Sequence, residues 1–158
     1  MVDMPKEVVD ALQDPETIKA LTTTDKEGCP HTVYKFSITV MEDGGIGYVE
    51  MIERSRTYKN MLHNHWDKKN VAISIFNPKS GLAYQIKGIP THCLTEGAIW
   101  DKFRDECWKQ MPDAEPAAVW LIEPDEIMDE SYEGRLKEES KRIPQYLYWN
   151  THQRRKKK

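Results

Sequence analysis

Little in this chain announces an enzyme class. Its 158 residues include three cysteines, Cys29, Cys93 and Cys107. The number is odd and no CxxC occurs, which argues against a disulfide framework and fits a reducing, cytoplasmic setting. No run approaches the ~18 apolar residues of a membrane-spanning helix. The first seven residues lack the basic and then apolar order of a secretory signal, so no leader is expected. No GxSxG, HExxH, P-loop or GxGxxG is present, and the common hydrolase, metalloprotease and dinucleotide signatures are therefore missing. Basic residues are also outnumbered, 23 to 26. Five of the basic residues form the terminal run Arg154 to Lys158, so the body is acidic and a broad nucleic-acid surface is disfavoured.

What remains is enough for one domain with a tail. Apolar residues make up 39% of the chain and charged residues 31%, a balance that supports a buried core under a solvated surface. No internal repeat is visible. Turn signals come at short intervals, which favours many short strands.

The periodicity predicts a helix from Pro5 to Leu12 and a strand from Ile18 to Thr24, followed by a turn at Asp25 to Gly28. From Thr32 to Val40 the side chains alternate, with Tyr34, Phe36, Ile38 and Val40 on one face and Val33, Lys35, Ser37 and Thr39 on the other. Glu42 to Gly45 is a tight turn, and Ile46 to Ile52 returns as a strand. A helix is expected over Ser55 to His63, and strands over Val71 to Phe76 and Leu82 to His92. An amphipathic helix follows from Glu96 to Gln110, carrying Ile99, Trp100, Phe103 and Cys107. A last strand, Ala117 to Ile122, is expected to stop before Pro124. Beyond residue 125 the composition turns polar, and a C-terminal helix or arm is expected. Six strands dominated by hairpins predict a mainly β fold with flanking α-helices: a small, closed antiparallel barrel with short outer helices, with an open α+β sheet as the alternative.

Two segments hold candidate chemistry. Ser55-Arg56-Thr57 opens a helix directly after a strand. A helix N-terminus offers free N–H groups and partial positive charge, Arg56 adds a guanidinium fork, and Ser55 and Thr57 add hydroxyls. These are the parts of a phosphate site, although an ordinary capped helix with a surface arginine has the same pattern. Lys35 is the second candidate. It is either a solvent-facing lysine on a half-exposed strand or a cation beside a planar, electron-rich ligand. The pairs Cys29/His31, His63/His65 and His92/Cys93 show no zinc-type spacing, and no metal is expected. Tyr146, Tyr148 and Trp149 suit an anchoring arm.

The order of these features resembles the pyridoxamine 5′-phosphate oxidase-like, FMN-binding split-barrel family over about residues 5–130. The resemblance rests on Gly28-Cys29-Pro30-His31-Thr32-Val33 leading into a strand, on Ser55-Arg56-Thr57 at a helix start, and on Asn70 to Phe76. Gln85-Ile86-Lys87-Gly88 and Ala118 to Pro124 complete it. It implies a six-stranded split β-barrel over residues 1–130, an arm over 131–158, and a homodimer with FMN at the subunit interface. It further implies that Ser55, Arg56 and Thr57 hold the phosphate. Tyr34, Lys35 and Phe36 would run along the flavin ring, with Glu50 and Met51 lending backbone; the oxidase's interface Gln falls near Ala83, and Gln85 stands two positions on, on the same face of that strand.

Val33 replaces the oxidase's flavin-strand arginine, and the oxidase's C-terminal Arg-x-His motif is missing. A vitamin B6 phosphate substrate is therefore not expected. The implied function is an FMN-dependent oxidoreductase acting on a small molecule, with NAD(P)H as a candidate electron donor. The alternative is a flavin or haem carrier without turnover, for which His31, His63, His65 and His92 are the candidate axial ligands.

Overall fold

The computed structural model describes residues 2–143. The chain divides between Met128 and Asp129 into two compact units. Among the described residues eleven elements follow in order. They are α1 (Lys6–Gln13), β1 (Ile18–Thr24), β2 (Pro30–Tyr34), β3 (Thr39–Val40), β4 (Ile46–Glu50), α2 (Arg56–Trp66), β5 (Val71–Phe76), β6 (Ala83–Leu94), α3 (Ala98–Gln110), β7 (Ala118–Asp129) and α4 (Tyr132–Arg142).

The strands form one seven-stranded sheet in the order β2-β1-β5-β6-β7-β4-β3. The β1–β2, β1–β5, β5–β6, β4–β7 and β3–β4 pairs are antiparallel. Alternation is clear along β1 and β5. Lys19, Leu21 and Thr23 turn inward with Val71, Ile73 and Ile75, while Ile18 and Phe76 turn out. The core gathers Leu12, Leu21, Ile38, Ile46, Tyr48, Met61, Ile73, Ile86 and Trp120 inside the curl.

Helix α2 explains itself locally. Thr57, Asn60, Met61 and Asn64 fall at helical spacing and are buried. Asn60 donates to the Thr23 hydroxyl at 3.0 Å, and Asn64 donates to the Thr24 carbonyl at 3.2 Å. These bonds satisfy polar groups that would be costly to bury alone. Where β6 lies beside β7, Gly88 has no room for a side chain: a Cβ would stand 2.5 Å from the Glu123 carbonyl oxygen.

The mainly β class and antiparallel pairing match the sequence reading, but the strand count is seven, not six. The extra strand comes from a break in the expected Thr32–Val40 strand. β2 and β3 lie at opposite edges of the sheet, so the chain must leave one edge and cross to the other. It turns at Phe36-Ser37. The shared face expected for Tyr34, Phe36 and Ile38 is lost: Phe36 is 78% exposed and Ile38 is fully buried. Pro124 does not stop the last strand, which continues to Asp129. The Pro124 carbonyl instead accepts the Val2 N–H at 3.2 Å. Pro144 onward, including Tyr146, Tyr148, Trp149 and the basic run, lies outside the described residues.

Candidate cofactor cleft

The crossing segment between β2 and β3 builds the site. At one end the Lys35 N–H donates to the Lys19 carbonyl at 3.0 Å and prolongs the β1 pairing. At the other end the Ser37 hydroxyl accepts the Val49 N–H at 3.0 Å. Since β3 pairs only with Ile46 and Gly47, Ser37 serves the β4 backbone where no strand reaches. The two edges are thus tethered without closing a ladder, and a cleft of about 500 Å³ opens beside the crossing. That volume falls in the range of small-molecule sites.

Tyr34, Lys35, Phe36 and Met51 border this cleft together with Ser37 and Phe103. Tyr34, Lys35 and Phe36, which the resemblance sets along a flavin ring, therefore border one cleft with Met51, which it expects to lend backbone. Glu50 lies behind them. Its carboxylate, on a residue only 2% exposed, binds the Lys35 ammonium at 2.7 Å. Lys35 is thus not solvent-facing, and it also sits 5.1 Å from the centre of the Tyr48 ring. The backbone carbonyl of Glu50 accepts the Ala117 N–H at 2.8 Å. Tyr48 and Trp120 are cross-strand partners, and among the described residues neither the Tyr48 hydroxyl nor the Trp120 indole N–H has a hydrogen-bond partner. Burial, then the Glu50 charge, pushes the Tyr48 hydroxyl well above the ordinary tyrosine pKa.

Ser55, Arg56 and Thr57 follow Met51 after a short turn in which Arg54 takes a left-handed φ of 60°. Ser55 caps α2 by accepting the Tyr58 N–H at 2.9 Å. The N–H groups of Arg56 and Thr57 belong to the first turn, which has no intrahelical acceptors. Arg56 is exposed, whereas Thr57 is 3% exposed and turned into the core. None of the three borders the cleft. Gln85 stands on β6 opposite Ser74, with its side chain on the outward face that also carries Ala20 and Tyr34 in register. The nine expected residues therefore form three groups: a cleft wall with its buried counter-ion, a helix start, and one position on the open sheet face.

Lys19, Phe103 and Cys107 also line the cleft and were not singled out from the sequence. A period-two signal for Lys19 was available, since it shares parity with the apolar Leu21. Phe103 seats its ring tip where a Gly47 Cβ would lie, 2.4 Å away, and so docks α3 on β4. Among the described residues no group of three or more His, Cys, Asp or Glu side chains could hold a metal ion. The histidines are dispersed: His65 bonds the Pro90 carbonyl at 2.8 Å, and His63 lies 3.5 Å from Asp67. Cys29, Cys93 and Cys107 are unpaired. No described helix is long and apolar enough to cross a membrane.

Neither a protein-family model nor a curated protein matches the sequence. Solved structures do match, and together with the open seven-stranded curl they define the class: the chain has the fold of the pyridoxamine 5′-phosphate oxidase-like, FMN-binding split barrels. HupZ of Group A Streptococcus is similar at a TM-score of 0.67 and 22% identity, covering 82% of this chain and 96% of that one. An FMN-binding protein of Syntrophomonas wolfei subsp. wolfei is similar at 0.63 and 14% identity, over 80% of this chain and 88% of its own. HutZ, the haem storage protein of Vibrio cholerae, is similar at 0.56 and 12% identity, over 81% and 95%. Identities this low establish the fold alone.

Proposed function

We propose that this chain is a homodimeric flavoprotein that binds FMN and uses it as an oxidoreductase on a small molecule. The observation that carries the reading is the shared wall. Tyr34, Lys35 and Phe36, expected along the flavin ring, border one cleft with Met51, expected to lend backbone, in a fold that an FMN-binding protein also adopts. The donor set fits the group. An exposed guanidinium and two N–H groups without intrahelical acceptors suit a dianionic phosphate at the start of α2. Bound FMN supplies hydride and two-electron chemistry.

This chain's own residues would position it. Arg56 and Ser55 hold the phosphate. The Lys35–Glu50 pair carries no net charge, so it fixes the crossing segment rather than adding a free cation. Phe103 and α3 shield the cleft from water.

The homodimer reading is supported by the outward face of β2, β1 and β5. Tyr34 is 68% exposed, Phe76 46% and Ile18 43%, a row of large apolar side chains of the kind that marks an interface. NAD(P)H is the proposed electron donor. The haem storage neighbour supports a second reading, a carrier without turnover.

Reconstitution tests both. The full chain, mixed with FMN, should quench flavin fluorescence at one FMN per chain, and NAD(P)H should bleach the bound flavin. A Soret band after mixing with haemin, with no flavin quenching, would overturn the first reading in favour of the second.

A further inference from the structure

Among the described residues, one cation in the cleft is left without a counter-charge. Lys19 is 5% exposed on β1 and borders the cleft. Its ammonium donates to the Leu12 carbonyl at 2.5 Å and to the Ile38 carbonyl at 3.1 Å. An ammonium has three N–H donors, so two carbonyls leave one unused. Among the described residues no carboxylate stands within ion-pair distance of it. Asp14 acts on it only at longer range, and burial pulls its pKa below the ordinary lysine value. The other charges of the cleft are already spent. Lys35 is neutralised by Glu50, and Glu106 binds Lys109 at 2.7 Å. The remaining wall is largely apolar, with Leu12, Ile38, Phe103 and Met111 among its members. Buried charges are normally paired, because burying one alone is costly. Two neutral carbonyls solvate this ammonium without cancelling its charge.

We propose that the cleft admits a small apolar molecule carrying one carboxylate, and that the free N–H of Lys19 receives it. Lys19 is a binding residue here; it supplies the counter-charge that makes an anion preferable to its neutral analogue. As a substrate class, the proposal rests on the flavin reading for its chemistry but not for its binding.

The test uses the full chain, with and without FMN, and two probes of matched shape: benzoate and benzyl alcohol. Titration followed by NMR should show benzoate binding at least tenfold tighter than benzyl alcohol. Lys19→Met should erase that preference while leaving benzyl alcohol affinity within twofold. A wild-type chain without the preference, or a variant that keeps it, overturns the proposal. Should Lys19→Met fail to fold, the side-chain nitrogen resonance of Lys19 in ¹⁵N-lysine-labelled wild type decides the matter. A shift with benzoate and not with benzyl alcohol supports the assignment, and no shift refutes it. FMN quenching is read in the same samples. A Lys19-dependent preference without quenching overturns the flavin reading alone, and quenching without the preference overturns the Lys19 assignment alone.

Discussion

The two ends of the sheet are treated differently. In β4 all five residues are buried, because the core lies on one side and α3 covers the other through Phe103 over Gly47. In β1 and β5 only alternate residues are buried, and Ile18 and Phe76 are left to solvent beside Tyr34. One end is finished within the chain, and the other leaves an apolar face uncovered. The difference teaches where to look for function. The cleft opens between the two edges, where the crossing segment ties the finished end to the open one.

The largest effect should come from the tie itself. Glu50→Ala leaves the Lys35 ammonium, on a side chain only 13% exposed, without its carboxylate. Breaking a buried pair from one side costs about 3–5 kcal/mol, to be read by urea unfolding. A loss under about 1 kcal/mol would mean that the pair does not hold the crossing segment. Arg56→Ala, at the exposed helix start, should weaken FMN binding by about 1.5–3 kcal/mol, the range for a hydrogen bond to a charged group. Its unfolding free energy should stay within about 0.5 kcal/mol of wild type, as for surface substitutions generally. Gly47→Ala tests the finished end. The new methyl meets the Phe103 ring at 2.4 Å, and overpacking of this kind costs about 1–3 kcal/mol. Because the ring can swing, that loss should be accompanied by loosened protection of α3 amides in hydrogen exchange. Phe76→Lys tests the open end. It should shift sedimentation from dimer to monomer and change monomer stability by no more than about 0.5 kcal/mol. An unaltered dimer would remove this face from the interface.

Much of this architecture was legible beforehand, and the failures have physical causes. Val71 to Phe76 reads as a strand because a compact β-branched run has few other uses, and the strand has those bounds. The helix start at Ser55 was legible from a capping residue after a strand. The Thr32–Val40 strand misled because alternation persists through Phe36-Ser37, while topology requires the chain to change edges there. No local pattern encodes that requirement. The partnership of Lys35 with Glu50 spans fifteen residues and joins two common charged types, so spacing could not select it. Lys19 was passed over because a lysine is normally placed on the wet face of a strand, and its burial depends on carbonyls from α1 and from the crossing segment.

The central claim is that the start of α2 grips the phosphate of FMN. Fluorescence titration of FMN into wild type and Arg56→Ala tests it most directly. The account predicts saturable quenching at one FMN per chain, with the dissociation constant of the variant raised about tenfold to a hundredfold. Equal affinity in the two proteins, or no quenching in wild type, would contradict it.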